Sequence, residues 1–242
     1  MPTVREASAP YENFMLGPRP GPGVCTRCFN LNDGYAECYS CSRTVQVLSA
    51  MVAVSYSVAH EQLHHSLASY KRLTGPVAGR LTLGLAAVLW RFLAGHERCL
   101  ARAAGVTSFP LVTAVPSSDP SQNGQHPLVR IVGELVVLTQ ERFTPLLKRT
   151  DVPVVAREFS HDKFVARRRL QGQPVLLIDD TWTTGANAQS AAAALRGAGS
   201  GPVAAVVIGR HVNRDWHEND RHLKALSESF DWSTCALCAS AD

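Results

Sequence analysis

An excess of either charge is missing from this chain: 24 Lys and Arg against 20 Asp and Glu leave a net +4 over 242 residues. A balance that mild does not by itself point to nucleic acid. An apolar core of signal-peptide length is also missing near the start. Residues 1–23 are rich in Pro and Gly, Arg5 is followed directly by Glu6, and Glu12 sits where such a core would lie. No later apolar run reaches the roughly 20 residues of a bilayer span. The most hydrophobic stretch, 81–93, is shorter and carries Arg91, so it reads as a buried helix. These absences lead us to expect a cytoplasmic protein with no membrane partner. Charged residues make up only 18% and hydrophobic ones 45%, which excludes a disordered chain. The length suits one substantial domain with a small satellite.

Cysteine is present and patterned. Six of the seven fall in C-x-x-C pairs: Cys25/Cys28, Cys38/Cys41 and Cys235/Cys238. Without an export signal, such pairs favour zinc over disulfides. The first two pairs form C-x2-C-x9-C-x2-C within residues 24–44, with Gly34 suited to the intervening turn. Four thiolates at that spacing fit one tetrahedral Zn²⁺, and the metal would supply most of the folding energy of so small a ribbon. The alternative is two redox or incidental pairs. Cys99 stands alone in a helical run and reads as a core residue. His217, His222, Cys235 and Cys238 could hold a second Zn²⁺, or the last Cys pair could approach the N-terminal ribbon. Unligated residues near a frayed end are the alternative there.

Between these elements the pattern alternates strand and helix. After a loose leader over 1–23, residues 45–57 read as one or two strands. Helices are predicted over 58–73 and 78–104, the second interrupted at Gly84 and Gly95. Residues 109–115 read as a strand, 127–150 as a long helix that Pro145 kinks or ends, and 152–156 as a short strand. A polar, basic segment follows, then strand, helix 186–196 and strand 203–208. Such alternation implies a parallel sheet flanked by helices.

The most informative stretch is Val175-Leu176-Leu177-Ile178-Asp179-Asp180-Thr181-Trp182-Thr183-Thr184-Gly185-Ala186-Asn187. Its four apolar residues have the length of a buried parallel strand. At the carboxyl end, where open α/β sheets bind ligands, stand two adjacent carboxylates. Their mutual repulsion is relieved by hydroxyl donors and a divalent cation, which a ribose diol with Mg²⁺ supplies. Thr183, Thr184 and Gly185 then open a helix whose N-terminal amides suit a phosphate. An ordinary strand–turn–helix with capping threonines would use the same residue types.

These thirteen residues resemble the phosphoribosyl-pyrophosphate (PRPP) motif of type I phosphoribosyltransferases, with Asn187 where Thr is usual. The resemblance widens with the four-cysteine ribbon, a helix from Tyr56 to Lys71 ending Tyr-Lys, Val115-Pro116-Ser117-Ser118, and Asn123-Gly124-Gln125-His126. In that order they look like the competence protein F (ComF) family over about residues 24–213. One departure is Ser121-Gln122-Asn123-Gly124, where the family commonly has an arginine-containing segment.

The resemblance implies a type I phosphoribosyltransferase-like α/β fold. Its parts would be the ribbon, a helical hood over 45–108, a core over 109–213, and a C-terminal helix and CxxC tail over 214–242. It implies that Asp179, Asp180, Thr181, Thr183, Thr184, Gly185, Ala186 and Asn187 bind Mg-PRPP, with Ser117 and Ser118 cradling pyrophosphate. A basic flap carries Arg157, Lys163, Arg167, Arg168 and Arg169, of which Arg157 is the best candidate to join Asp179 and Asp180 as catalytic. Lys71, at the end of its helix and outside the flap, is a weaker candidate that would bind PRPP. The acceptor would be a nucleobase or amine. Thr183 stands where 6-oxopurine enzymes of this fold carry an Asp, which argues against hypoxanthine or guanine salvage. The rival reading is a non-catalytic module whose ribbon, through Arg27, Arg43, Phe29, Tyr35 and Tyr39, contacts single-stranded DNA or a DNA-uptake partner.

Overall fold

Two runs of Val, Leu, Ile and Ala with hardly a polar break form the centre of the molecule. In the computed structural model, which describes residues 2–117, 126–226 and 229–238, they are neighbouring strands. The sheet is parallel and four-stranded, in the order β1 (Ala50–Val58), β6 (Val203–Val212), β5 (Val175–Trp182), β2 (Leu111–Ala114). Residues 175–178 and 203–208 are buried throughout, as strands covered on both faces must be. Register is fixed by pairs such as Ile178↔Val206 and Ala114↔Ile178. All four strands therefore deliver their carboxyl ends to one edge.

Helices flank this sheet. α3 (Gln62–Arg72) and α4 (Gly75–Ala103) follow β1, and α7 (Ala186–Gly197) joins β5 to β6. The class expected from the sequence, a parallel α/β sheet flanked by helices with a four-cysteine cluster near the N-terminus, is what the structure shows.

Several details differ from expectation. The stretch 2–23 is not loose: Thr3 caps α1 (Val4–Glu12) through a capping box with Glu6. Tyr11 and Met15 from this region are buried in the core. Gly84 does not interrupt α4, which runs unbroken for 29 residues. It instead leaves room for α1, since a Cβ there would lie 2.5 Å from Tyr11 Cε2. At this length α4 is apolar enough to cross a bilayer by composition, yet half of its most apolar window is buried inside the protein.

The long helix expected over 127–150 is broken into α5 (Pro127–Arg130), a π-helical turn (Ile131–Leu135) and α6 (Val137–Gln140). Val136 leaves helical geometry at ψ 93°. The chain then turns to run beside β2, with Val112 N–H donating to Arg142 O and Thr144 N–H to Val112 O, both at 2.9 Å. The strand expected over 152–156 is irregular and largely exposed. Its place is taken by an antiparallel hairpin of β3 (Leu147–Arg149) and β4 (Phe164–Ala166). There Leu147 and Phe164 supply the inward side chains, which the Pro153-containing segment lacks.

Candidate active site

The motif strand β5 carries Asp179 and Asp180 to the carboxyl edge of the sheet, and alternation sends their side chains to opposite faces. Their roles accordingly differ. Asp180 is buried, accepts a hydrogen bond from the Tyr70 hydroxyl at 2.5 Å, and pairs with the Lys71 ammonium. Tyr70 and Lys71 end α3, so the Tyr-Lys step of the sequence brings two donors to one carboxylate. Burial, reinforced by Asp180, holds the Tyr70 phenol well above its ordinary pKa, so it donates at any physiological pH.

Asp179 keeps an edge open and lines two adjoining clefts. Burial first, and then the charge of Asp180, pushes its carboxyl up to about 8. Its Oδ1 accepts the backbone N–H of Asp180 at 2.9 Å. The first cleft, about 200 Å³, is formed by Arg157 and the turn from Thr181 to Ala188. The second, about 390 Å³, is formed by Lys71, Arg72, His126, Pro116, Ser117 and the motif residues Asp179, Asp180, Thr181 and Asn187.

The turn between these clefts is shaped by Gly185. It sits at φ 83° immediately before α7 and supplies no capping side chain. The Ala186 N–H donates instead to Thr184 Oγ1 at 3.3 Å, and the residues of this first turn line the cleft. A Cβ at Gly185 would also collide with the buried Trp182 indole. Gly185→Ala is therefore expected to cost about 1–3 kcal/mol from the left-handed backbone alone. A lowered denaturation midpoint checks this; an unchanged midpoint contradicts it.

Thr184 Oγ1 donates to Arg157 O at 3.0 Å, tying the turn to the basic segment. Arg157 itself is exposed at φ 62° and follows a loop, not a strand. Lys163 is buried and not a solvated flap cation: its ammonium donates to Glu158 O at 2.7 Å and Asn187 Oδ1 at 3.3 Å. Thus Asn187, the motif's departure, accepts a bond from the hairpin. Arg167, Arg168 and Arg169 lie on the outer side of the hairpin and its exit, with Arg167 donating to Leu147 O at 3.1 Å. Ser118 and the segment 121–124 lie outside the described residues.

Two further groups lie in and beneath the clefts: His126, which the sequence offers only as the end of a matching stretch, and Arg210, which it does not single out. His126 is buried, and its Nδ1 accepts the Leu128 N–H at 3.2 Å, which places the proton of the neutral ring on Nε2. Burial holds its pKa down. Arg210, 1% exposed, lies under the turn and donates to Thr183 O at 3.0 Å, Trp182 O at 3.1 Å and Cys28 O at 3.2 Å.

That last bond leads into the N-terminal cluster. Cys25, Cys28, Cys38 and Cys41 are all buried, with their sulfurs within 4.8 Å of one another. Cys28 Sγ and Cys38 Sγ are 3.6 Å apart, against a tetrahedral zinc–thiolate edge of roughly 3.8 Å. Hydrogen bonds from Cys28, Cys38 and Cys41 push the Cys25 thiol down, whereas the crowding led by Cys25 pushes Cys41 up. Four crowded thiols cannot all ionise without opposing charge; a divalent cation would let them do so together. The donor set therefore fits structural zinc. Gly34 makes the turn between the pairs at φ 93°. The second pair opens a short helix, α2 (Tyr39–Arg43).

The cluster is packed into the main core, with Tyr56 Oη donating to Phe29 O at 2.7 Å. Cys235 and Cys238 do not approach it. They meet Cys99, which is thereby no simple core residue, and His96. His217 and His222 stand elsewhere: His217 faces Asp33 at 3.4 Å, and His222 packs on Gly23. No protein-family model matches this chain, and no curated protein is significantly similar to it.

Proposed function

We propose that the protein binds Mg-PRPP and transfers its 5-phosphoribosyl group to a nitrogen nucleophile, releasing pyrophosphate. The observation that supports this most is one continuous pair of clefts sharing Asp179. On one side lie the Thr183–Gly185 turn and the first residues of α7; on the other lie Lys71, Arg72, Ser117 and His126. A bound sugar would place its 5-phosphate on the Thr183–Gly185 turn and its vicinal diol on Asp179, with pyrophosphate toward Lys71 and Ser117. Magnesium entering with the substrate offsets leaving-group charge.

Each side chain then has a task. Asp179 accepts from ribose hydroxyls, and Asp180 holds Lys71 and Tyr70 in place. Lys71 and Arg72 stabilise the departing pyrophosphate as positive charge develops at the sugar. Arg157, on the exposed loop, closes over the phosphate end and excludes water. No carboxylate stands at Thr183, so proton transfer to a purine base is not assigned to that position. The test is pyrophosphate release from Mg-PRPP with a panel of bases and amines. Acceptor-dependent release supports transfer, whereas no release with any acceptor and no PRPP binding refutes it.

A second reading is favoured by one observation. Tyr35 and Tyr39 on the four-cysteine element are 71% and 69% exposed, and the Arg43 guanidinium lies 4.4 Å over the Tyr39 ring. Phe29 is buried and does not join them, and Arg27 is paired with Glu37 at 2.8 Å. Two exposed aromatics with one stacked cation form a small platform for single-stranded nucleic acid. This reading predicts salt-sensitive binding of an unstructured oligonucleotide that a Tyr35→Ala, Tyr39→Ala variant loses. Equal binding by parent and variant rules the platform out.

A further inference from the structure

A second set of metal ligands is assembled by the fold from segments almost 140 residues apart in the chain. His96 and Cys99 lie three residues apart on α4 and face one side of it. Cys235 and Cys238 come from the C-terminal segment, where Cys238 N–H closes a turn on Cys235 O at 3.0 Å. The four ligand atoms all lie within 4.8 Å of one another. Cys238 Sγ is 3.2 Å from Cys99 Sγ, 3.3 Å from Cys235 Sγ and 3.3 Å from His96 Nδ1. A tetrahedral zinc site of this composition has ligand–ligand edges of roughly 3.5–3.8 Å, so the ligands would move apart by a few tenths of an ångström around the ion.

The histidine carries the second argument. His96 Nε2 lies 2.9 Å from the Trp232 carbonyl, an acceptor only. A neutral ring that makes this bond has its proton on Nε2, leaving the Nδ1 lone pair directed at the sulfur cluster. A backbone carbonyl fixing the far nitrogen is the support that metal-bound histidines typically have. A disulfide accounts for less. Any pairing among Cys99, Cys235 and Cys238 leaves one thiol over and gives the oriented histidine no partner.

We propose that His96, Cys99, Cys235 and Cys238 hold a structural zinc ion that clasps the C-terminal segment to α4. The surrounding contacts extend the clasp to the N-terminal helix. Trp232 Nε1 donates to Glu12 Oε1 at 2.7 Å, the Arg91 guanidinium stacks 4.0 Å over the Trp232 ring, and Arg91 pairs with Glu12 at 2.5 Å. One ion thereby fastens the C-terminal segment and α1 to the same helix, away from the clefts that hold Asp179. This inference is independent of the phosphoribosyl reading, and its test needs no activity.

The full chain purified from zinc-containing medium is measured for metal content and intact mass. Two zinc ions per chain are expected, falling to one in Cys238→Ser with the ion of the N-terminal cluster retained. With Co²⁺ in place of zinc, the variant is expected to lose about three of the seven sulfur-to-cobalt charge-transfer contributions, the share of a site with three thiolates and one imidazole. If the variant does not fold, stepwise chelation of the parent serves instead. Removal of the ion from this cluster is expected to open Cys99, Cys235 and Cys238 to thiol alkylation, mapped by peptide mass, separately from Cys25, Cys28, Cys38 and Cys41. A parent with one zinc per chain, a disulfide in this cluster, or alkylation of these three thiols that chelation leaves unchanged overturns the proposal.

Discussion

Above pH 8 the Asp179→Asn variant is expected to be more thermostable than the parent while losing Mg-PRPP binding. Folding raises the Asp179 carboxyl from 3.8 to about 8, chiefly by burial and then by Asp180. Between those two values the native state holds a proton that the unfolded chain has released. The sign of the linkage follows: the contribution of this group is fully present below the lower value and is lost as pH rises through the upper one. At higher pH the parent carries the half-buried Asp179 charge beside that of the buried Asp180, with Lys71 as the partial offset. Asparagine keeps the shape and removes the charge. The gap in melting temperature is expected to open from pH 4 to 8 and then stay constant. Each kcal/mol moves the midpoint of a chain this size by roughly 2–4 °C. Scanning calorimetry of both proteins across that range decides the matter, and equal melting temperatures at pH 9 would show that Asp179 bears no such load. A residue kept at a cost to stability is what a binding site requires.

The second large effect belongs to Arg210. Its guanidinium is buried and donates to four carbonyls, those of Cys28, Trp182, Thr183 and His211, the last at 2.7 Å. It also approaches Cys28 Sγ at 3.5 Å. Burial opposes its charge, but Cys28, Cys38 and Cys41 favour it and raise its pKa. A zinc ion held by four thiolates would carry a net negative charge, which this cation would offset while it holds the motif turn. Arg210→Met strands the carbonyls and the thiolate charge together, at a cost of about 3–5 kcal/mol. Faster zinc loss to a chelator and weaker PRPP binding are expected alongside a lower denaturant midpoint. Arg210→Lys restores charge but not the planar fork, so it is expected to recover zinc retention more than turn geometry. A methionine variant that matches the parent in both midpoint and chelation rate would show the bridge to be idle.

Where sequence reading succeeded, the signal was local. β5, its turn and α7 are specified by an unbroken apolar run, two carboxylates and a glycine within thirteen residues, and each part agrees with the next. The Cys25–Cys41 spacing is likewise local, and the sulfurs converge as it requires. Failures came where the deciding partner is distant in the chain. Gly84 looks like a break until Tyr11 fills the space, and Cys99 looks like core until Cys238 arrives beside it. Tyr70 fell on the apolar stripe of its helix, and only the fold shows its hydroxyl meeting Asp180. The stretch after Pro127 has helical composition, but Thr144 and Arg142 bond to β2, and that edge pairing outweighs propensity.

The central claim is that Asp179 and Asp180 organise a sugar-phosphate site. Calorimetric titration with Mg-PRPP tests it most directly, on the parent and on the double variant Asp179→Asn, Asp180→Asn. Saturable one-to-one binding by the parent and none by a folded double variant is the predicted result. Binding of equal strength to both proteins, or none to the parent, would contradict it.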